Sequence, residues 1–156
     1  MTDSNDTTDS SEDILFMKMA IDEARRASER DEVPVGAVIV ARGRVIARAH
    51  NLIETLNDPT AHAEMQAITA ATDWLGGKYL SDCTLYVTLE PCTMCAGALF
   101  WSRIGTIVYG CSDPKRGYSL LSGRILHPIT VVKKHVLEEE CSALLKSFFG
   151  SRREAQ

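Results

Sequence analysis

The sequence predicts an α/β fold, a three-layer α/β/α sandwich with a mixed central sheet. Three observations lead to this prediction. The chain has 156 residues, a length that suits one domain. Its apolar residues follow helical spacing in some segments and form short β-branched runs in others. These segments alternate along most of the chain, as they do in proteins whose sheet is covered by helices on both faces.

The composition is that of a globular protein, with 45% hydrophobic and 24% charged residues. This balance excludes a wholly disordered or collagen-like chain. The longest apolar run, residues 35–41, is far shorter than the roughly 20 residues of a membrane helix. The acidic N-terminus lacks the apolar segment of a secretory signal. We therefore expect a cytoplasmic protein that does not associate with a membrane.

The first third of the chain divides into a tail, a helix and two strands. Residues 1–12 are rich in Ser, Thr and Asp and cannot bury apolar surface, so they predict a disordered acidic tail before a single domain over residues 13–156. A segment with one apolar helical face follows, and then two β-branched runs flank a turn that contains Gly43. These patterns predict a helix and a β-hairpin. Their bounds are residues 14–30, 33–40 and 45–49.

Capping and breaking residues mark the later elements. Asp58 or Thr60 can cap a helix that the Gly76-Gly77 pair follows. Pro91 suits the first turn of a second helix. Strand-like runs separate these helices from each other and from a C-terminal helix with one apolar face. The predicted helices are residues 61–72, 92–102 and 138–149, and the predicted strands are residues 84–88, 106–109 and 129–132.

The five cysteines are an odd number, which argues against a disulfide framework. Cys92 and Cys95 form a C-x-x-C pair whose thiolates would share one face of a first helical turn. A helix N-terminus favours the thiolate, the form that binds metal. By itself, the pair could also be a redox site or half of a structural zinc site. We expect the other three cysteines to be small buried apolar residues: Cys83, Cys111 and Cys141.

A second motif, His62-Ala63-Glu64, opens the neighbouring predicted helix. If the two helices lie side by side, His62 joins the cysteine pair as a third ligand and leaves the fourth position of tetrahedral zinc open to water, as a catalytic site requires. Glu64 can then move protons beside the metal. A structural zinc site closed by four protein ligands would have no use for Glu64. H-x-E with P-C-x-x-C is the signature of the zinc nucleobase deaminases, so we expect one catalytic Zn²⁺ per chain.

Longer segments resemble the bacterial tRNA-specific adenosine deaminases, the TadA family. They are VPVGAVIV (33–40), NDPTAHAEMQAI (57–68), LYVTLEPCTMCAGAL (85–99), SRIGTIVYG (102–110) and EECSALLKSFF (139–149). The resemblance covers roughly residues 14–150. It implies a cytidine-deaminase-like fold, a homodimer, and hydrolytic deamination of adenosine to inosine at the wobble position of a tRNA anticodon. It also implies site roles: zinc binding by His62, Cys92 and Cys95, proton transfer by Glu64, and purine binding by Asn51 and the backbone of Ala63.

The chain departs from the family pattern at residues 116–132, a stretch shorter than in many members, so the family's RNA contacts cannot be carried over there. Residues 103–135 nevertheless contain six Lys or Arg and a single Asp. Such a basic segment suits either an anionic RNA or a solvated face. The candidate contacts to the anticodon arm are Asp113, Lys115, Arg116, Lys133, Lys134, Phe149, Arg152 and Arg153.

Two other functions use the same residues. A guanine or other free-purine deaminase would need the same metal ligands, Glu64 and Asn51, and Phe100-Trp101 supplies an aromatic pair of the kind that purine deaminases often carry. A non-catalytic, zinc-stabilised RNA-binding module belongs to a different class. The intact H-A-E motif argues against that module because it would have no use for a proton-transfer group.

Overall fold

A computed structural model describes residues 9–154 of the chain, with side chains described for residues 9–152. Its elements are α1 Ser11–Glu29, β1 Gly36–Ala41, β2 Arg44–His50, α2 Ile53–Leu56, α3 Ala63–Leu75, β3 Cys83–Leu89, α4 Thr93–Ser102, β4 Thr106–Cys111, a short 3-10 turn Tyr118–Leu120, β5 Val131–Lys133 and α5 Glu138–Glu154. Every predicted strand and helix is present, and the short helix α2 and the 3-10 turn are additional. Among the described residues, no helix has both the length and the apolar character needed to cross a membrane.

The strands form one mixed sheet in the order β2-β1-β3-β4-β5. The pairs β2–β1 and β1–β3 are antiparallel, whereas β3–β4 and β4–β5 are parallel. Parallel neighbours need a crossover, and α4 provides it between β3 and β4. The predicted mixed sheet is confirmed.

The β1–β2 hairpin positions the end of β2. Its two-residue turn, Arg42 (φ 50°) and Gly43 (φ 75°), is left-handed at both residues, which matches the twist of the strands. The register pairs Gly36 with His50, and the N–H of Asn51 donates to the Val35 carbonyl at 3.2 Å. The hairpin therefore fixes Asn51 beside the start of β1.

The sheet separates two apolar layers, as the sandwich prediction requires. On one face, α1 and α5 pack against the sheet around the fully buried Met17, Val38 and Val108. On the other face, α3 and α4 bury small and branched residues such as Ala67 and Leu99. The functional motifs open the two helices of this second layer.

Residues distant in sequence meet on the α1 face. The buried Asp13 accepts a hydrogen bond from the Tyr86 hydroxyl at 2.7 Å and another from Lys133 Nζ at 3.2 Å. Near the other end of α1, Arg152 Nη2 donates to the carbonyl of Asp31 at 2.7 Å. These contacts join the first helix to β5 and α5.

Two predicted helix starts need correction. Ser10 caps α1 by accepting from the N–H of Asp13 at 3.0 Å, so residues 11 and 12 belong to this helix and not to a tail, whereas residues 1–8 lie outside the described part of the chain. The helix expected from residue 61 begins at Ala63. Asp58 does not cap it, because its carboxylate accepts from the N–H and hydroxyl of Thr60 and closes the loop locally.

Candidate metal centre and active site

The site forms where α3 and α4 begin. His62 and Cys92 are the N-cap residues of these helices, both with extended backbone, and neither side chain forms a capping hydrogen bond with its own helix. Both side chains are consequently available to other partners. Cys95 follows in the first turn of α4 and is fully buried.

The three predicted ligand residues lie together. The Sγ atoms of Cys92 and Cys95 are each 3.6 Å from Nδ1 of His62, and the three donor atoms all lie within 4.8 Å of one another. Tetrahedral zinc with ordinary Zn–S and Zn–N bond lengths separates a sulfur and a nitrogen ligand by about 3.6 Å. The side chains present therefore fit a zinc ion, with two soft thiolates and one imidazole as donors.

Local hydrogen bonds distribute the protons unevenly among the three ligand residues. A hydrogen bond with Cys95 and another with His62 lower the pKa of Cys92 to about 4. The bond to Cys92 and burial raise the pKa of Cys95, so this thiol keeps its proton until a metal displaces it. The bond with Cys92 also raises the pKa of His62.

Glu64 lies beside this cluster and is 3% exposed. Its carboxylate is near enough to the Cys95 thiol and to His62 for both groups to influence its pKa. Burial raises the pKa of Glu64 to about 7. A carboxyl group with such a pKa can both accept and return a proton near neutral pH.

Asn51 and Ala63 contact each other. The N–H of Ala63 donates to Oδ1 of Asn51 at 2.8 Å, and both residues are buried. The family resemblance assigns the backbone of Ala63 to the purine, and in this structure the N–H of that backbone donates to Asn51. This bond attaches the side-chain carbonyl of Asn51 to the first residue of α3. The NH₂ group of the same side chain remains available to donate to a further partner.

The loop after β4 closes over the start of α4. Gly117 forms an isolated β-bridge with Cys92, and the N–H of Tyr118 donates to the Pro91 carbonyl at 3.0 Å. Lys115 and Arg116 are exposed in this loop and directly precede Gly117, the residue that bridges to Cys92. The Asp113 carboxylate accepts from the N–H groups of both residues at 3.0 Å, so it shapes the loop.

The remaining candidate RNA contacts lie elsewhere. Lys133 and Arg152 bind Asp13 and the Asp31 carbonyl, as described above, and Arg152 also covers the ring of Phe148 at 4.3 Å. Lys134 and Phe149 are exposed, in the segment after β5 and in α5. Arg153 belongs to α5, but its side chain lies outside the described part of the structure.

The sequence analysis missed Glu90, which is 2% exposed. Its carboxylate accepts from the N–H of Asp113 at 3.1 Å and from the N–H of Ser119 at 3.0 Å. The available signal was a single acidic residue between the apolar run of β3 and the C-x-x-C motif.

Comparison with known proteins gives consistent matches along the chain. The model of the MafB19-like deaminase family matches residues 11–153. The tRNA-specific adenosine deaminase of Bacillus subtilis (strain 168) is 51% identical over an alignment of 148 residues, and the match covers 91% of each chain. A structure from a study of A-to-I editing by tRNA:A34 deaminases is 47% identical, with a TM-score of 0.79, and the match covers 84% of this chain and 99% of that one. A guanine deaminase from B. subtilis is 32% identical, with a TM-score of 0.62 and coverage of 90% and 92%.

Proposed function

The chain belongs to the MafB19-like deaminases and to the tRNA-specific adenosine deaminases, and from this premise we propose that it hydrolyses the wobble adenosine of a tRNA anticodon to inosine. The observation that carries the chemistry is the buried Glu64 carboxylate beside the His62, Cys92 and Cys95 donors. We also propose that the enzyme works in the cytoplasm, as the sequence analysis expects.

The metal cluster supplies the first part of the chemistry. His62, Cys92 and Cys95 would hold one zinc ion per chain, because their donor atoms are spaced as tetrahedral zinc ligands are. Zinc bound there would act as a Lewis acid that makes a water molecule more acidic. Three protein ligands would leave one position of a tetrahedral zinc ion for that water.

Glu64 moves the protons of the reaction. It takes a proton from the attacking water and delivers it to the ring nitrogen next to carbon 6. It then helps to transfer the second water proton to the amino group, which leaves as ammonia. The net change is the addition of one water and the loss of one ammonia. The pKa of about 7 that burial gives Glu64 suits a group that must accept and return a proton in one cycle.

Asn51 orients the base. Its carbonyl end is engaged by the N–H of Ala63, so its NH₂ group is the end that donates to an acceptor on the purine. The base itself must leave its stack to reach the site, since carbon 6 is inaccessible inside stacked nucleotides. An anticodon loop presents such unstacked bases more readily than a duplex does.

A direct assay tests the proposed function. The purified protein is incubated with a transcribed anticodon arm that bears adenosine at the wobble position, and inosine and ammonia are both measured. Free guanine is assayed in parallel, because a guanine deaminase is a 32% identical structural relative. We expect deamination of the arm and little release of ammonia from guanine. Rapid release from guanine with no inosine in the arm would overturn the tRNA assignment.

Lys115 and Arg116 are proposed to bind anticodon-arm phosphates, since both are exposed in the loop beside the metal cluster. Reversing both charges to Glu is expected to raise KM for the arm about tenfold and to leave kcat nearly unchanged, because phosphate contacts position RNA. Two lost contacts would also reduce the slope of log affinity against log salt by about 1.4. Steady-state kinetics at several salt concentrations measure both effects.

A matched control reverses the same number of charges at the far end of the β1–β2 hairpin. Arg42 and Arg44 lie at the turn, whereas Asn51 follows the opposite end of β2. The Arg42→Glu/Arg44→Glu variant should keep KM and the salt slope of the natural protein. An equal rise in KM in both variants would indicate a general charge effect and contradict the assignment.

A second copy of this chain is the proposed partner of α4. Met94, Gly97, Ala98 and Trp101 lie three or four residues apart on one face of this helix, and Trp101 is 77% exposed. An apolar helical face with small residues at its centre lets two helices approach closely. A homodimer that pairs this face with itself would bury Trp101.

Light scattering after size-exclusion chromatography tests the dimer. Trp101→Glu is expected to convert the dimer to a monomer, because each copy would bury a charge in the interface. Trp74→Glu is the control: Trp74 is 57% exposed at the end of α3, where Arg44 lies 6.0 Å from its ring. A monomeric natural protein, or a Trp101→Glu variant that remains dimeric, would contradict the proposal.

A further inference from the structure

Glu90 is a buried carboxylate that binds a loop. Its two oxygens accept from the N–H groups of Asp113 and Ser119, the two ends of the segment that carries Lys115 and Arg116. Within the described part of the chain, no Lys, Arg or His side chain forms an ion pair with Glu90. These two backbone donors are therefore the groups that compensate for burying the carboxylate.

The loop is shaped to fit this carboxylate. Gly117 lies directly against it: a Cβ atom at this position would come within 2.4–2.5 Å of the Glu90 carboxyl atoms. Gly117 is also the residue that bridges to Cys92, and the N–H of Tyr118 binds the Pro91 carbonyl. The loop is consequently attached at several points to the two residues that follow Glu90.

We propose that Glu90 is a positioning residue that holds the loop of residues 113–119 in its RNA-binding shape and in register with the catalytic cluster. This inference rests on the proposed function, because it assigns the loop to anticodon-arm phosphates. Glu90 has no contact with the reacting atoms in this role. It sets where the Lys115 and Arg116 cations lie relative to the site in which carbon 6 reacts.

The substitution Glu90→Gln tests the role because it replaces one acceptor oxygen by an NH₂ group that faces a backbone N–H. Freed from one anchor, the loop should be cut by trypsin after Lys115 or Arg116 at least tenfold faster. KM for the anticodon arm should rise about tenfold, while kcat changes less than threefold and the zinc content per chain is unchanged. Glu90→Asp, which keeps both acceptors, should restore part of the loss.

Two further variants separate the role from simple damage to the fold. Gly117→Ala disturbs the same contact from the loop side and should give the same rise in cleavage and in KM. Glu32→Gln is the matched control for cleavage: Glu32 is 1% exposed and accepts from the N–H groups of Glu54 and Thr55, away from this loop. It should leave cleavage after Lys115 and Arg116 unchanged.

A double-mutant cycle decides whether Glu90 acts through the loop cations. In a Lys115→Ala/Arg116→Ala background, Glu90→Gln should change KM less than twofold, because the groups that it positions are gone. A rise in KM that persists in this background, a loss of kcat with unchanged KM, or unchanged tryptic cleavage would overturn the inference. If the natural protein does not deaminate the anticodon arm, the proposed function fails, and tryptic cleavage alone decides whether Glu90 holds the loop.

Discussion

Replacing Glu64 with Gln is expected to reduce kcat by a factor of about 10²–10⁴, the usual contribution of a general acid–base group. The amide has nearly the same shape as the carboxyl group, so the buried site should accept it. It cannot, however, take a proton from water and return it to the base. Inosine formation in the anticodon arm, measured under single-turnover conditions, isolates the chemical step.

The controls for this variant are metal content and affinity. Zinc per chain should remain that of the natural protein, because Glu64 is not among the three converging donors. Binding of the anticodon arm should also be retained, since the exposed cations of the loop are untouched. A decrease in kcat of less than tenfold would contradict the proton-transfer role of Glu64. A loss of zinc would indicate that Glu64 is itself a metal ligand.

Replacing Cys95 with Ala is expected to remove zinc and, with it, deamination. One of three converging donor atoms disappears, so metal affinity should fall by more than the roughly 10–100-fold that follows loss of an outer hydrogen-bond partner. Elemental analysis of the purified variant should give a zinc content that falls from one per chain toward zero. This measurement does not depend on any assumption about the substrate.

Cys83 offers a matched control because it is also a buried cysteine, but on β3 and outside the cluster. Cys83→Ala should keep one zinc per chain and full turnover, even if its melting temperature falls. The same metal content is expected after replacement of Cys111 or Cys141. Loss of zinc from any of these three variants would show that a cysteine assigned to the apolar core is instead a metal ligand.

The fold and the metal cluster could be predicted from local sequence patterns. Short β-branched and apolar runs located every strand, and helical spacing of apolar residues located every long helix, because each element buries one face or both. The cluster could be predicted for a related reason. His62 and Cys92 each begin a helix, and the strands that precede these helices, β2 and β3, both run antiparallel to β1, so both helix starts lie at the same edge of the sheet. Spacing along the chain thus carried information about proximity in space.

The hydrogen-bond partners of Glu90 and Asn51 could not be predicted from local patterns. Glu90 accepts from backbone groups 23 and 29 residues away, and Asn51 accepts from one 12 residues away. Every non-proline residue offers such an N–H group, so residue type does not reveal which one a carboxylate or amide will meet. The local closure of Asp58 on Thr60 shows the converse, a short-range bond that competes with the predicted helix cap.

The pairing of α1 and α5 on one face of the sheet has a consequence for synthesis on the ribosome. The proposed active-site residues lie between positions 51 and 95, so they emerge well before α5, which begins at Glu138. At about 5–20 residues per second, the roughly 43 residues from the end of β4 at Cys111 to the end of α5 at Glu154 take about 2 to 9 s to make. During this interval, Val108 and Cys111 have no α5 to cover them, and the nascent chain exposes an apolar patch on the side away from its metal-binding residues. Substitutions that weaken the packing of α5 should therefore increase the dependence of newly made protein on chaperones, and substitutions in α4 should increase it less.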